Sequence, residues 1–227
     1  MRLPFTASFR ALARPGSAFA APPPALGPAV RDMALVWIPL ALLNAAWTAW
    51  RALQAYDALR RGAIAPGILG WLGADPADFQ ELVSALPASP AYGQVWPWLL
   101  LAVPLGVLGT WLHHAVWDHA GLWLLGGLKE RRGFRTSLLA EAEALRIAAL
   151  GTLLGLLGFV PVLGWVLALP LMLLDAYLWL FRGFALAARH GCEPWRGIAA
   201  TGVHVLLLGC CVLGLVSLML FMVRMAA

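Results

Sequence analysis

The chain has 227 residues, of which 62% are hydrophobic and only 12% are charged, and its mean hydropathy is +0.80. Ordinary soluble domains contain about 45–50% apolar and about 25% charged residues, so this composition excludes a soluble globular protein and predicts an integral membrane protein. The formal net charge of +5 does not indicate nucleic-acid binding, because the basic residues lie between apolar segments rather than on one face.

Five apolar segments are long enough to cross a bilayer as helices, which takes about 20 residues each. The predicted spans are 33–50, 95–125, 138–158, 162–188 and 197–223. Residues 51–94 are rich in charged residues and prolines and are predicted to form a polar connection, with one short helix beginning at Asp75 and Pro76. The sequence therefore predicts an all-α fold, a polytopic bundle of five transmembrane helices over residues 32–227.

The turn between the third and fourth spans is predicted from the length of one apolar stretch. Residues 147–174 are too many for a single spanning helix, and Pro161 with Gly164 is predicted to form the turn that divides them. The helix before this turn begins with charged residues, of which Glu143 and Arg146 are spaced to form an ion pair. An interfacial helix leading into a short hairpin is the alternative for this segment.

Five spans place the two termini on opposite sides of the membrane, and the basic residues indicate the orientation. If the N-terminus is cytoplasmic, twelve of the 16 basic residues lie on the cytoplasmic side, in agreement with the positive-inside rule. The remaining four are Arg51, Arg60, Arg61 and Arg224. The predicted location is the inner (plasma) membrane, with the N-terminus cytoplasmic and the 51–94 connection and the C-terminus extracytoplasmic.

Residues 1–31 precede the first span and contain no acidic residue. Phe5, Phe9 and Leu12 follow a helical spacing with arginines elsewhere around the helix, which predicts a short amphipathic helix on the cytoplasmic leaflet. Pro15 ends this helix, and a proline-rich linker leads to the first span. An organellar transit peptide is the alternative, because such peptides are also rich in arginine and poor in acidic residues.

Polar residues inside the predicted spans form the candidate functional site. Asp118, Asp175 and His204 each lie seven residues inside a predicted cytoplasmic boundary, and His114 and His119 lie on the same span as Asp118. A carboxylate at the bilayer centre costs ~2.5–3.5 kcal/mol, so these groups are expected to face protein partners. His114 and Asp118 are one turn apart and could bond within one helix, whereas His204 or His119 could meet Asp175 across helices.

Three functions are open for this polar layer. Interhelical hydrogen bonds that fix the packing are the expected one. A proton or ion pathway is the second, because histidine and aspartate relay protons in transporters. A metal site is the third, but neighbouring histidines such as His113 and His114 point about 100° apart on a helix, and the chain has no H-x-x-x-H or H-E-x-x-H spacing.

Three glycines follow one face of the third span, and they are Gly151, Gly155 and Gly158. Small residues in this spacing let helix backbones approach closely. Packing against a neighbouring helix of the same chain is the expected use, and a dimer face is the alternative. An oligomer is thus possible.

The sequence indicates no enzyme and no cofactor. There is no phosphate-binding loop and no G-x-S-x-G motif. Ser137 and Ser217 have no histidine and acid at a recognisable spacing. The three cysteines form no C-x-x-C motif and are read as small apolar residues with one free thiol.

Several short motifs follow one another between residues 113 and 205. They are a histidine leading into Leu-Leu-Gly-Gly (His119 to Gly127), an aromatic-Arg-Thr group (Phe134 to Thr136), a Pro-Val-x-Gly turn (Pro161 to Gly164), and Arg-His-Gly (Arg189 to Gly191) ahead of the small residues Ala199 and Ala200. In this order they resemble the Yip (Ypt-interacting protein) domain family of multi-pass membrane proteins. The chain departs from the family where Glu141 and its charged neighbours open the third span in place of aromatic residues.

The resemblance implies a five-span bundle with a cytoplasmic N-terminus and brings no catalytic motif. Eukaryotic relatives are associated with Rab-type GTPases and vesicle traffic. From residues and resemblance together, we expect a structural or interaction role in a lipid bilayer, with membrane or cytoplasmic proteins as partners. A small-solute, ion or proton transporter that uses the polar layer is the alternative.

Overall fold

The computed structural model describes residues 4–61, 83–128 and 133–226, together with Phe79 and Glu81. Within these residues the chain is helical and contains no strand. The helices are α1 (Pro4–Ala13), α2 (Pro15–Ala18), α3 (Leu26–Arg60), α4 (Tyr92–Leu124), α5 (Phe134–Gly155), α6 (Pro161–His190) and α7 (Pro194–Ala226). The helix expected at Asp75 lies outside the described residues.

Five of these helices, α3 to α7, are long and apolar enough to cross a membrane. The predicted all-α fold with five spans is confirmed, and the protein is a multi-pass membrane protein. The expected connection is wrong over residues 51–60, which continue α3 as a regular helix to Arg60. This stretch consists mostly of alanine, leucine, arginine and glutamine, which are strong helix formers, so its charges do not end the helix.

The chain divides into two compact units, one of Met1–Leu40 with Gly106–Ala227 and a smaller one of Ala41–Leu105. In the smaller unit, side chains hold the returning chain beside α3. The hydroxyl of Tyr92 donates to the carbonyl of Ala46 at 2.9 Å, and that of Tyr56 donates to Pro87 at 2.8 Å.

Helix α5 lies in the core of the larger unit. Its side chains from Ser137 to Gly151 are mostly buried, and a 3-10 turn at Leu156–Phe159 extends it. The interfacial alternative for this segment is therefore wrong.

The turn before α6 also differs from the prediction, because Pro161 is the first residue of α6 and Gly164 lies inside its first turn. A Cβ atom on Gly164 would lie 2.5 Å from the carbonyl oxygen of Gly158, so this glycine permits the tight return.

Small residues set how closely the helices approach. A Cβ on Gly151 would overlap the side chain of Leu178, so this glycine packs against α6 as expected. Gly155 does not pack against a neighbouring helix in this way. Among the described residues, and leaving aside its chain neighbours and its own helix backbone, no atom lies within 4 Å of the position that its Cβ would occupy. The closer approach is between α6 and α7, where a Cβ on Gly183 would lie 2.5 Å from the Cα of Ile198.

The segment before α3 packs against the larger unit. The hydroxyl of Tyr177 donates to the carbonyl of Leu12 at 2.6 Å. Phe19 is 5% exposed, and its ring centre lies 5.5 Å from that of Phe181. The short N-terminal helix is confirmed, and its end and the segment that follows it are docked on α6.

Exposed apolar side chains mark a belt on α6 and α7. On α6 they run from Val162 to Leu180, and on α7 from Val205 to Met222 with Trp195 as an outlier near the start. At 1.5 Å per residue these stretches measure about 28 and about 27 Å, close to a hydrocarbon core of about 30 Å. Beyond this belt both helices bury polar side chains in the protein.

Candidate functional site: a buried charge cluster

Four helices each contribute one polar side chain to a cluster just beyond the apolar belt. Asp118 comes from α4, Glu141 from α5, Arg182 from α6 and His204 from α7. Arg182 is 2% exposed and the other three are fully buried. A charged group in such a place is tolerated only if it is paired, so these four side chains are the candidate functional site.

Arg182 is the centre of the cluster. Its Nε donates to Oε2 of Glu141 at 2.9 Å, and its Nη2 donates to Oδ2 of Asp118. The other carboxylate oxygen of Asp118 accepts a hydrogen bond from Nδ1 of His204 at 2.8 Å. One chain of charge-assisted bonds therefore joins α4, α5, α6 and α7.

Aromatic rings cover the cluster on the side of the apolar belt. The guanidinium carbon of Arg182 lies 4.5 Å from the ring centre of Trp179. The Nε2 of His204 lies 3.1 Å from Nε2 of His113, which is exposed. The ring of His114 packs against those of Trp179 and His204, with centres 5.1 and 5.5 Å apart. Through its contact with His113, the buried cluster thus reaches an exposed side chain.

A second polar junction lies nearer the α4–α5 connection. The Oγ of the buried Ser137 lies 2.8 Å from Nδ1 of His119 and 2.9 Å from Nε2 of His190. The histidine partners of Ser137 could not be predicted from spacing, because they come from two other helices. With no exposed surface, this hydroxyl is placed to join three helices rather than to attack a substrate.

An ion pair ties the end of α6 to α5 and to the N-terminal segment. Arg189 donates from Nε and Nη2 to the two carboxylate oxygens of Glu143, at 2.6 and 2.8 Å. Its Nη1 donates to the carbonyls of Phe19 and Ala21 at 3.2 and 2.9 Å. The expected pair of Glu143 with Arg146 is wrong, because the bidentate partner on α6 is available.

The expected layer of equal depth is correct for Asp118 and His204 and wrong for Asp175. That carboxylate is exposed and makes no hydrogen bond or ion pair with the described residues. The error lies in the depth assigned to Arg182, which was taken as the cytoplasmic boundary of the fourth span but lies inside a helix that continues to His190. Arg182 therefore occupies the level expected for Asp175.

Two further expectations about the polar layer are also wrong. His114 does not bond to Asp118, because Asp118 is occupied by Arg182 and His204; the Nδ1 of His114 has no hydrogen-bond partner in the described part of the chain. His119 faces Ser137 rather than Asp175. The polar residues thus form two separate groups.

Sequence reasoning missed Arg182 and Glu141 as members of the site. Glu141 was read as part of the charged start of the third span, and Arg182 as the cytoplasmic boundary from which the depth of Asp175 was counted. One signal in the sequence could have found them. The acidic Glu141 and the basic Arg182 both lie near the predicted cytoplasmic ends of adjacent spans, where opposite charges can pair.

The described residues contain no group of three or more His, Cys, Asp or Glu side chains that could hold a metal ion. What the charge cluster can do is bind helices together and exchange protons with its histidines. Comparison of the chain with protein-family models, with curated proteins and with solved structures found no match.

Proposed function

We propose that the protein is a non-catalytic integral membrane scaffold, which organises the bilayer or holds partner proteins. The observation that carries this proposal is the closure of the charge cluster. Arg182, Asp118, Glu141 and His204 bond to one another and are excluded from solvent. Buried ion pairs add little net stability, but they can fix one arrangement of helices among several.

The surface proposed for partners is the end of the bundle where α6 and α7 are connected. Its exposed parts include the end of the N-terminal helix, the start of α5 at residues 133–135 and the connection at residues 191–196. Arg10 and Arg14 are exposed there, and so are Phe9 and Trp195. Basic and aromatic side chains in one place suit anionic headgroups or an acidic partner.

We place this surface in the cytoplasm and the protein in the inner (plasma) membrane, because most basic residues then obey the positive-inside rule. The resemblance to the Yip domain family supports the same orientation and a role in membrane organisation.

A charge-free variant tests the scaffold against transport. Replacing Asp118 with Leu and Arg182 with Met together removes a buried ion pair and fills its place with apolar atoms, which folded proteins often tolerate. Under the scaffold proposal, this double variant keeps its fold and its co-purifying partners in mild detergent. In liposomes with a trapped pH dye and an imposed membrane potential, it gives the same proton flux as the wild type. Loss of a wild-type flux in the folded variant would reject the scaffold.

Proton transport is the second candidate, and one observation favours it. The exposed His113 lies 3.1 Å from the buried His204, which bonds to Asp118. A transport path through these groups would also need a route to the other side of the membrane. Asp175 lies on the same face of α6 as Arg182, seven residues nearer the opposite side. Replacement of Asp175 with Asn is expected to abolish transport and to leave the scaffold unaffected.

A further inference from the structure

The charge cluster is not balanced by its own side chains. Arg182 brings one positive charge, whereas Asp118 and Glu141 bring two carboxyl groups. The other titratable groups that face the cluster are His113, His114 and His204. Helix α3 contributes the apolar Met33 to the neighbouring core. With neutral histidines and two carboxylates, the cluster would hold a net buried negative charge, which is strongly unfavourable away from water.

The bonds of Asp118 are those expected of an ionised carboxylate. Its Oδ1 accepts from His204 and its Oδ2 accepts from Arg182, so both oxygens are occupied by donors. A proton on either oxygen would displace one of these donors. Asp118 is therefore the carboxylate that balances Arg182.

Glu141 is bonded differently. Only its Oε2 accepts from Arg182; within the described residues its Oε1 and the Nη1 of Arg182 have no hydrogen-bond partner. Glu143 provides the comparison on the same helix, because both of its oxygens accept from Arg189 in the two-bond geometry typical of an ionised pair. The single bond of Glu141 suits a neutral carboxyl group that uses its carbonyl oxygen as the acceptor.

We propose that the cluster binds one exchangeable proton and that Glu141 carries it. The cluster then has no net charge: Arg182 and Asp118 balance each other, and protonated Glu141 remains an acceptor for Nε of Arg182. His204 bonds to Asp118 and lies against the exposed His113, so a line of polar contacts leads from the cluster to an exposed side chain. The proposal concerns the charge state of the cluster and holds for a scaffold as well as for a transporter.

Infrared spectroscopy of the full chain in liposomes at neutral pH tests the proposal. With 13C-labelled glutamate, we expect the carbonyl stretch of a protonated glutamic acid to shift. In Glu141→Gln this band is lost, and in Glu143→Gln it stays. Asp118→Asn also loses it, because Glu141 must then ionise to balance Arg182.

Three results would overturn the proposal. The first is a wild-type spectrum in which labelled glutamate gives only carboxylate bands; this result needs no variant to fold. The second is a glutamic acid band that persists in folded Glu141→Gln. The third is a charged imidazolium on His204 in the 15N spectrum of the wild type. Thermal unfolding adds a separate measurement, in which Glu141→Gln is expected to lower the midpoint less than Glu143→Gln.

Discussion

Replacing Arg182 with Met is the most direct test of the charge cluster as the joint between helices. The substitution keeps most of the volume and the apolar stem but removes the donors to Glu141 and Asp118. Asp118 then keeps a single bond, to His204, and stays fully buried. We therefore expect Arg182→Met to unfold more easily than the wild type.

The magnitude follows from the burial of the partners. Breaking a buried ion pair by removing one partner costs about 3–5 kcal/mol, because the other charge is left uncompensated. Loss of the contact between Arg182 and the ring of Trp179 adds up to about 2 kcal/mol. Folded proteins are stable by only about 5–15 kcal/mol, so this single change removes a large part of the total.

The measurement is the free energy of unfolding in mixed detergent micelles, followed by circular dichroism. Arg31→Met is the matched control, because the pair of Arg31 with Asp32 is largely exposed and such pairs contribute about 0–1 kcal/mol. Adding Asp118→Leu to Arg182→Met is expected to recover most of the lost stability. The reasoning is refuted if Arg182→Met costs no more than Arg31→Met, or if the double variant is less stable than the single one.

The remaining predictions concern packing, docking and topology. Gly183→Ala should cost about 1–3 kcal/mol in the same unfolding assay, because its Cβ meets the backbone of α7, whereas Gly202→Ala has open space and should not destabilise. Phe19→Ala should release the N-terminal segment to limited proteolysis, and no increase in cleavage would show that the docking depends on other contacts. With cysteines introduced at the exposed Ser17 or Ser84, an impermeant maleimide should label Ser17→Cys from one side of sealed vesicles and Ser84→Cys from the other. Labelling of both from one side would contradict the five-span topology.

The spans could be predicted because hydropathy is a local property of the sequence. Continuous apolar runs of the right length define α3, α4 and α7 without any knowledge of their neighbours, and the excess length of the run at residues 147–174 indicates that it must be divided between α5 and α6. The depth of the charged residues could not be found in this way. Arg182 was taken as the cytoplasmic boundary of its span because a charge in lipid is unfavourable, but the protein supplies partners for this charge, and Arg182 lies inside a helix that continues to His190.

The partners within the site could not be predicted either, because they are distant in sequence. Arg182 bonds to residues 41 and 64 positions away, and Ser137 bonds to His190 at a separation of 53. A single sequence shows which residues are polar but not which faces of the helices meet. Only pairs one helical turn apart can be tested by spacing, and both pairs predicted in this way are wrong. Arg182 and His204 bond to Asp118 in place of His114, and Arg189 bonds to Glu143 in place of Arg146.

The contrast between Arg182 and Asp175 explains how this bundle treats charge. Both residues lie on one face of α6, seven positions apart. Arg182 lies beyond the apolar belt, where α4 and α5 provide acceptors and His204 of α7 bonds to one of them. Asp175 lies within the belt, between the exposed Leu173 and Leu180, and has no bond to the described residues. Charge is therefore accommodated where helices meet, and a carboxyl group at position 175 is stable in lipid only if it binds a proton or a partner from outside the chain.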